Sequence, residues 1–412
     1  TTTRKGVPTD GSLVRKGLDF DWMLTEAKYE DSNSAAVYLK AGLDAEQPNA
    51  MSVSVESIKD KAAQKTDKKK SVQRIFAAVE DLGNKAIDNG HRVTIGDAEA
   101  KRYGGKDKIL RESHSVAIAL AAEAMALLKN EGNLLPLKKP ALKAVASCDI
   151  DPKLGIHKFL GGKPMRGSDF GSGEIWQEIP KVSDGLKKLG IEVGGADAEA
   201  SLVCLDERSA EGENRESLEM GWHGDGATGK LIVLMGVPGQ VQIKAWSNKA
   251  AAIVSSVYLG YGVGPALGQL LTGVHNPSGH LSYSIVTDAN HIKAANPDYK
   301  TTDGATGHET GYRRLQKAGN KAEYGFGHGI PLEGSWEKFK LDVVEHDLEL
   351  RRISFCVTNG NPADLYGKGK IQEWPSPTVQ FFAQIGSRKW KELVAFRKIR
   401  FVGPGKKRCS FV

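Results

Sequence analysis

"ASLVCLD" (Ala200–Asp206) is a run of apolar residues with almost no polar alternation. A strand with one wet face alternates apolar and polar positions, so an unbroken run of this length reads as a strand buried on both faces. "KLIVLMG" (Lys230–Gly236) and "AAIVSSVYL" (Ala251–Leu259) repeat the pattern downstream, and "LKAVASC" (Leu142–Cys148) precedes it. Helix-like stretches, "VSDGLKKLG" (Val182–Gly190) and "GPALGQLLTG" (Gly264–Gly273), are interspersed with these runs. Apolar strands joined by helical crossovers predict an α/β layer on a mostly parallel sheet.

Upstream, "SHSVAIALAAEAMALLKNEG" (Ser113–Gly132) predicts a helix capped by Ser113 and closed by Gly132. Its face is set by Val116, Leu120, Ala124, Leu127 and Leu128, at i, i+4, i+8, i+11 and i+12. After about residue 333 the helix signals stop. "FKLDVVE", "RRISFCVTNG", "PTVQFFAQIG", "KELVAFRKIRF" and "KRCSFV" are short strands split by turns, the pattern of a small β-sandwich. Residues 1–75 carry short strand and helix signals, including "SAAVYLKAGLD" (Ser34–Asp44). At 412 residues the chain exceeds one ordinary core. The expected organisation is an N-terminal piece (1–75), a polar linker (76–125), an α/β domain (126–290), a second linker (291–332) and a β-sandwich (333–412).

Composition excludes several functions. Hydrophobic residues make up 40% and there are 47 glycines, a globular balance. The net charge of +7 is small for this length. "DKKK" (Asp67–Lys70) and "GKKR" (Gly405–Arg408) lack interleaved aromatic residues, so they read as solvated faces and no nucleic-acid partner is expected. No apolar run approaches the roughly 18 residues of a bilayer span, so no membrane partner is expected. The first residues, "TTTRKGVPTDG", do not read as a signal peptide. Cys148, Cys204, Cys356 and Cys409 are far apart in apolar runs and are expected as buried thiols. Neither Cys nor His shows ligand spacing, so no zinc site is expected.

Motif by motif, most readings stay structural. "GDGATGKL" (Gly224–Leu231) has the glycines and lysine of a phosphate loop, but Leu231 replaces the hydroxyl and a strand follows where a helix is needed. "GYGVGPALG" (Gly260–Gly268) lacks the acidic partner of a dinucleotide site and reads as glycine for tight strand-to-helix packing. No GxSxG is present. His308 and His328 lie in glycine-rich loops, where turn or hydrogen-bonding roles are expected. Two acidic stretches remain. "SAEGENRE" (Ser209–Glu216) crowds Glu211, Glu213, Asn214 and Arg215 around Gly212 directly after a buried strand, and "FDWMLTEA" (Phe20–Ala27) sets Asp21 beside Trp22. One carboxylate facing an anomeric carbon, a carboxylic acid facing the leaving oxygen and an aromatic wall are what glycoside cleavage needs. Spacing alone leaves surface decoration open as the alternative.

The order of these motifs resembles glycoside hydrolase family 3, the β-glucosidase-like family. "AAEAMALLKNEGNLLPLKK" (Ala121–Lys139) looks like the opening of its second domain, and "GSDFGSGE" (Gly167–Glu174) is similar to its Gly-Ser-Gly loop. "SAEGENR" resembles its Ser-Gly-Glu-Gly-x-Asp-Arg, and "TGVHNPSGHLSYSI" (Thr272–Ile285) its Asn-Pro-Ser-Gly segment. "ETGYRR" with "YGFGHGI" resembles its Gly-Tyr-Arg and Phe-Gly-His-Gly pair, and Lys391–Phe411 the end of its fibronectin-III-like module. "GVPTDGSLVRKG" and "DWMLTE…AGLDAEQP" are similar to the last part of its barrel.

The resemblance implies a (β/α)8-barrel end, an α/β sandwich and a fibronectin-III-like β-sandwich. It implies a retaining hydrolase that needs no metal or organic cofactor and acts on an oligosaccharide or β-glucoside, with glucose, xylose and N-acetylglucosamine all open as the sugar. Asp21 matches the nucleophile, with Glu26 as the alternative, and Glu211 matches the acid/base. Trp22 would line the sugar wall and Arg215 would hold the loop. The family is mostly secreted or periplasmic. Asn214 and Ala210 depart from the family's Asp and Gly. The family's barrel starts well upstream of this chain, and a barrel cannot close on a fraction of its eight strands. The chain by itself is therefore expected to be inactive, completed by a second copy or by a chain carrying the missing barrel. A non-catalytic carbohydrate-binding remnant is the rival reading.

Overall fold

The computed structural model describes residues 106–146, 148, 181–194, 197–207, 217–222, 224, 226–237, 239–291, 310–332, 336–347, 352–361, 374–401, 405 and 407–412, together with Lys69 and Gln73. The chain divides into two units, Thr1–Lys106 and Asp107–Val412.

The second unit is centred on a five-stranded sheet. In chain order the strands are β1 (Ala126–Asn130), β3 (Val145–Ala146), β5 (Ala200–Asp206), β6 (Lys230–Gly236) and β7 (Ala250–Ser256), and their spatial order is β1-β7-β6-β5-β3. β3, β5, β6 and β7 run parallel, and β1 closes the far edge antiparallel to β7. Side-chain alternation then divides the core in two. Leu202, Cys204, Ile232, Leu234, Ala252 and Val254 face one layer. Val203, Leu205, Val233, Met235 and Ile253 face the other. Both faces are dry, which is why these strands show no polar alternation.

The first layer is helical. α2 (Val182–Lys188) and α3 (Val263–Thr272) supply Val182, Leu186, Val263, Ala266, Leu267, Leu270 and Leu271. The glycines of "GYGVGPALG" serve helix-to-helix approach, not the strand-to-helix approach expected. A Cβ on Gly264 would lie 3.1 Å from Val182 Cα of α2, and one on Gly268 would lie 2.6 Å from Leu189 Cδ1. A Cβ on Gly262 would lie 2.6 Å from Ala117 O in the helix α1 (Lys106–Ala124). The second layer is built from loop and turn segments, with Met220, Val237, Val241, Ile243 and Trp246 all buried.

The long helix expected over 113–132 is corrected. α1 starts at Lys106 and ends at Ala124, inside the stretch expected as linker, and Leu127 and Leu128 lie in β1. Val116 and Leu120 are 57% and 63% exposed, while Ala121 and Ala122 are buried. The reason is tertiary. Gly262 admits only a small-residue face of α1, and pairing with β7 lets Leu127 and Leu128 fill opposite layers of the core. "LKAVASC" is likewise divided, with Leu142 in the short strand β2 (Ala141–Leu142), parallel to β4 (Glu192–Val193), before β3 begins.

The cysteines are also corrected. Cys148 bonds Cys204, and Cys356 bonds Cys409. Parallel register brings Cys148 beside β5, and antiparallel register sets Cys356 directly opposite Cys409, so each pair is within bridging reach.

The stretch 291–332, expected as a linker, holds α4 (Tyr312–Ala318) and β9 (Ala322–Tyr324), the latter antiparallel to β8 (Ile285–Val286). Beyond it, β10 (Phe339–Asp347), β11 (Arg352–Asn359) and β14 (Lys407–Phe411) form one antiparallel sheet, and β12 (Thr378–Gln384) and β13 (Lys391–Lys398) another. Phe355, Val357, Ile399 and Phe401 fill the space between them, with Val379 and Phe381 packed alongside. Among the described residues of 333–412, these two antiparallel sheets share one cluster of buried side chains.

Side-chain bonds, among them the following, tie this module to the preceding residues. Arg313 Nε donates to Glu392 Oε2, Trp390 Nε1 donates to Oε1 at 2.7 Å, and Arg388 donates to the same oxygen at 3.0 Å. Tyr312 Oη accepts from Leu393 N at 3.0 Å. Glu123 of α1 pairs with Lys398 and Arg400.

Two measurements test this packing. A Cβ on Gly279 would lie 2.4 Å from Met125 O, whereas one on Gly239 meets nothing within 4 Å. Gly279→Ala should destabilise by about 1–3 kcal/mol and Gly239→Ala by less than about 0.5 kcal/mol, read as shifts of denaturant midpoint at constant slope. Glu392 is held below the ordinary carboxylate range by its bonds from Trp390 and Arg313, against the opposing effect of burial. A depressed carboxylate stabilises the fold above its unfolded pKa, and that contribution disappears as pH falls through the folded value. Glu392→Gln should therefore lower the melting temperature near neutrality, with the gap to wild type closing below about pH 4.

Candidate active site at the carboxyl edge of the sheet

Because β5, β6 and β7 are parallel, their carboxyl ends, Asp206, Gly236 and Ser256, reach one edge of the sheet. Open α/β sheets place their ligands outside this edge. The sequence segment that bears Glu211 leaves from it directly after β5. Its amino-terminal root is fixed by Glu207 N donating to Gly236 O at 3.0 Å and by Tyr258 Oη donating to Glu207 O. Val237 N donates to Ser256 O at 3.2 Å and Ser256 Oγ to Met235 O at 3.0 Å, so the neighbouring strand ends are held in the same way.

The carboxyl-terminal root is a ribbon. Met220 N donates to Gln242 O at 2.9 Å and Gln242 N to Leu218 O at 2.6 Å. The buried Trp246 donates from Nε1 to Met220 O at 3.0 Å, tying that carbonyl to the core. Around the ribbon lies an open groove of about 540 Å³, lined by Ser217, Glu219, Trp222, Gln242, Lys244 and Thr287 among others. Lys249 sits 5.1 Å above the Trp222 ring. Sequence reading missed this groove because its lining comes from segments far apart in the chain. The acid-aromatic pairing in "EMGW" (Glu219–Trp222) was its one local signal.

Asp21, Trp22, Glu26, Glu211, Asn214 and Arg215 lie outside the described residues, as do "GSDFGSGE" and His308. The remaining motifs are placed, and they are structural. Gly229 of "GDGATGKL" ends a turn before β6, at φ +80° and against Glu199 O, as its rejection as a phosphate loop required. "NPSGH" and "FGHG" zip together. Asn276 Oδ1 accepts from Leu332 N at 3.0 Å, Gly327 N donates to Leu281 O at 2.7 Å, and Leu281 N donates to His328 O at 2.9 Å. His328 Nε2 bonds Leu128 O at 3.0 Å and His280 Nδ1 bonds Gly327 O at 2.9 Å. A carbonyl only accepts, so both nitrogens carry hydrogen. Burial pushes His280 below its ordinary pKa, a shift opposed by the Gly327 bond and reinforced by His328. His328 thus has the hydrogen-bonding role expected of it. Among the described residues no three His, Cys, Asp or Glu side chains converge on a common point.

Trp246→Phe tests how the second root is held. Losing the bond to Met220 O in a buried setting should cost about 1–3 kcal/mol, measured by denaturant unfolding.

A profile of the Glycosyl hydrolase family 3 C-terminal domain matches residues 125–331. The chain is 25% identical to thermostable beta-glucosidase B of Acetivibrio thermocellus, over 96% of this chain and 54% of that protein. It is also 25% identical to the exo-alpha-(1->6)-L-arabinopyranosidase of Bifidobacterium longum, over 60% of this chain and 37% of that protein. The fold is similar to beta-D-glucoside glucohydrolase from Trichoderma reesei, with a TM-score of 0.65 at 17% identity, covering 92% of this chain and 60% of that one. For beta-glucosidase from Kluyveromyces marxianus the TM-score is 0.68 at 15% identity, covering 92% and 65%. The chain spans about half the length of the beta-glucosidase B relative. With its profile match, its motif order and its fold in agreement, the chain belongs to glycoside hydrolase family 3.

Proposed function

We propose that this chain carries the nucleophile and the acid/base of a retaining glycoside hydrolase that removes β-linked glucose-type units from non-reducing ends. The observation that carries the reading is the rooting of the "SAEGENR" segment at the carboxyl edge of a parallel sheet, the place where such sheets present chemistry. Relatives named as beta-glucosidases support the substrate class.

In this reading Asp21 attacks the anomeric carbon while Glu211 gives its proton to the departing oxygen. Glu211, now a carboxylate, takes a proton from water as that water cleaves the glycosyl-enzyme ester. A carboxyl group stays protonated for this role when it is partly desolvated. Trp22 stacks on the sugar and Arg215 holds the loop. Residues 1–75 are the end of a (β/α)8 barrel, and the two-sheet module is fibronectin-III-like. Two disulfides favour an oxidising compartment, consistent with a secreted or periplasmic protein.

The test is an aryl β-glucoside assay on the native protein. Asp21→Asn should abolish turnover, and Glu211→Gln should slow the hydrolysis of poor leaving groups by about 10²- to 10⁴-fold. Loss on Glu26→Gln with Asp21→Asn active would move the nucleophile to Glu26. Sugar binding without any turnover would favour the carbohydrate-binding remnant.

A further inference from the structure

We propose that His280 is an acid-released latch between the α/β domain and the C-terminal β-module: as a neutral imidazole it holds the turn 325–329, and protonation frees that turn. Three parts of the chain meet at this turn. His328 N closes it on Gly325 O at 3.0 Å, with Gly327 at φ +80°. The segment after Asn276 pairs with it through Leu281, whose O accepts from Gly327 N and whose N donates to His328 O. β1 meets it through Leu128 O, bonded by His328 Nε2, and through Leu127 O, which accepts from Ile330 N at 2.8 Å. The β-module meets it through Gln380 of β12, which donates to Gly327 O at 3.5 Å, and through Trp336 Nε1, which donates to Gly329 O. His280 Nδ1 donates to that same Gly327 O at 2.9 Å, so one carbonyl takes a bond from each side of the junction. There is no slack around it. A Cβ on Gly327 would lie 2.4 Å from Gln380 Oε1, and one on Gly329 would lie 3.2 Å from His280 Nδ1.

The geometry sets the working form of His280. Nδ1 faces a carbonyl and carries the hydrogen, which leaves Nε2 as the bare nitrogen. Nε2 is buried and has no hydrogen-bond partner among the described residues. Protonation would turn it into a buried, charged donor without an acceptor, which opening of the turn to water relieves. The surrounding charges do not offset this. His328, on the turn itself, adds to the repulsion. Tyr324 of β9, 5.0 Å from the His328 ring, is pushed up to about 12 by burial, with Glu323 and Glu131 adding to the shift, so it stays neutral. Trp336, 5.9 Å from the His280 ring, is uncharged. On the far side, Glu123, Lys398 and Arg400 meet Ser278, and that carboxylate already serves both cations. Burial, opposed by the Gly327 bond, holds His280 below the ordinary value of 6.5. The closed latch therefore binds a proton less readily than the opened one. Its advantage is complete above pH 6.5 and declines as pH falls from there towards the lowered native value. The Glu392 junction weakens only in the carboxylate range, near about pH 4, so the two devices separate by pH.

Amide hydrogen exchange of the native protein, read by mass spectrometry and corrected for the intrinsic rate at each pH, tests the latch. Between about pH 7.5 and about pH 5.5, peptides over 276–284 and 325–332 should lose protection by about three- to tenfold. Peptides over β5, β6 and β7 should keep theirs. His280→Asn sets an amide donor near the place of Nδ1 and takes no proton, so it should keep the protection seen at neutral pH and abolish the acid loss. His328→Gln, which keeps a donor at the place of Nε2, should still show a loss. Constant protection in the wild type overturns the latch, as does the wild-type loss persisting in His280→Asn. An equal loss in the β5–β7 peptides also overturns it, because the whole domain then opens. If His280→Asn does not fold, exchange of the imidazole C2 hydrogen in the wild type gives the pH at which His280 takes its proton. A midpoint below 6.5, within the range where the latch peptides lose protection, supports the latch, and a midpoint at or above 6.5 overturns it.

Discussion

The parallel ladder of β5, β6 and β7 is the constraint on which the rest depends. A strand buried on both faces must satisfy every backbone group within the sheet, because no water reaches it. That requirement explains the apolar runs and the continuous register from Ala200 to Gly236. It also fixes where chemistry can sit. Side chains along these strands are committed to one layer or the other, so polar groups with freedom to act leave from the carboxyl edge. The segment bearing Glu211 begins there, one residue past the end of an uninterrupted ladder.

Motifs that look like signatures of catalysis turn out to hold the structure. Gly279 and Gly329 approach backbone so closely that a methyl group on either would lie 2.4 Å from a carbonyl oxygen. His280 and His328 each end on a backbone carbonyl. Tyr312 and Arg313, from the Gly-Tyr-Arg element, meet the strand at Leu393 and Glu392. Together these residues join β1, the second layer and the C-terminal sheets. One disulfide joins β5 to the residue after β3, and the other crosses the β11–β14 pair.

Much of the fold was legible because burial on both faces leaves a local trace. β5, β6, β7, α2, α3 and the strands after Phe339 lie where their apolar patterns place them. The misreadings share a cause. "AEAMALLKN" satisfies helical periodicity, yet Leu127 and Leu128 gain more by filling opposite sides of a sheet than by sharing one helix face. Cysteines far apart in sequence look like isolated thiols until register sets them opposite one another. The groove beside Met220 joins side chains from 217–222, 242–245 and Thr287, and no local pattern announces such a union.

Sequence alone determined the α/β class, the run of short strands that follows it and the motif order of the family. Periodicity and motif order are properties of neighbouring residues, and they survive without coordinates. Tertiary structure alone decided which face of α1 is buried, that the chain turns to strand at Ala126, which cysteines bond, and that the histidine motifs serve backbone carbonyls. Those outcomes depend on distances between residues remote in the chain, and a sequence carries no measure of such distances until the sheet has set its register.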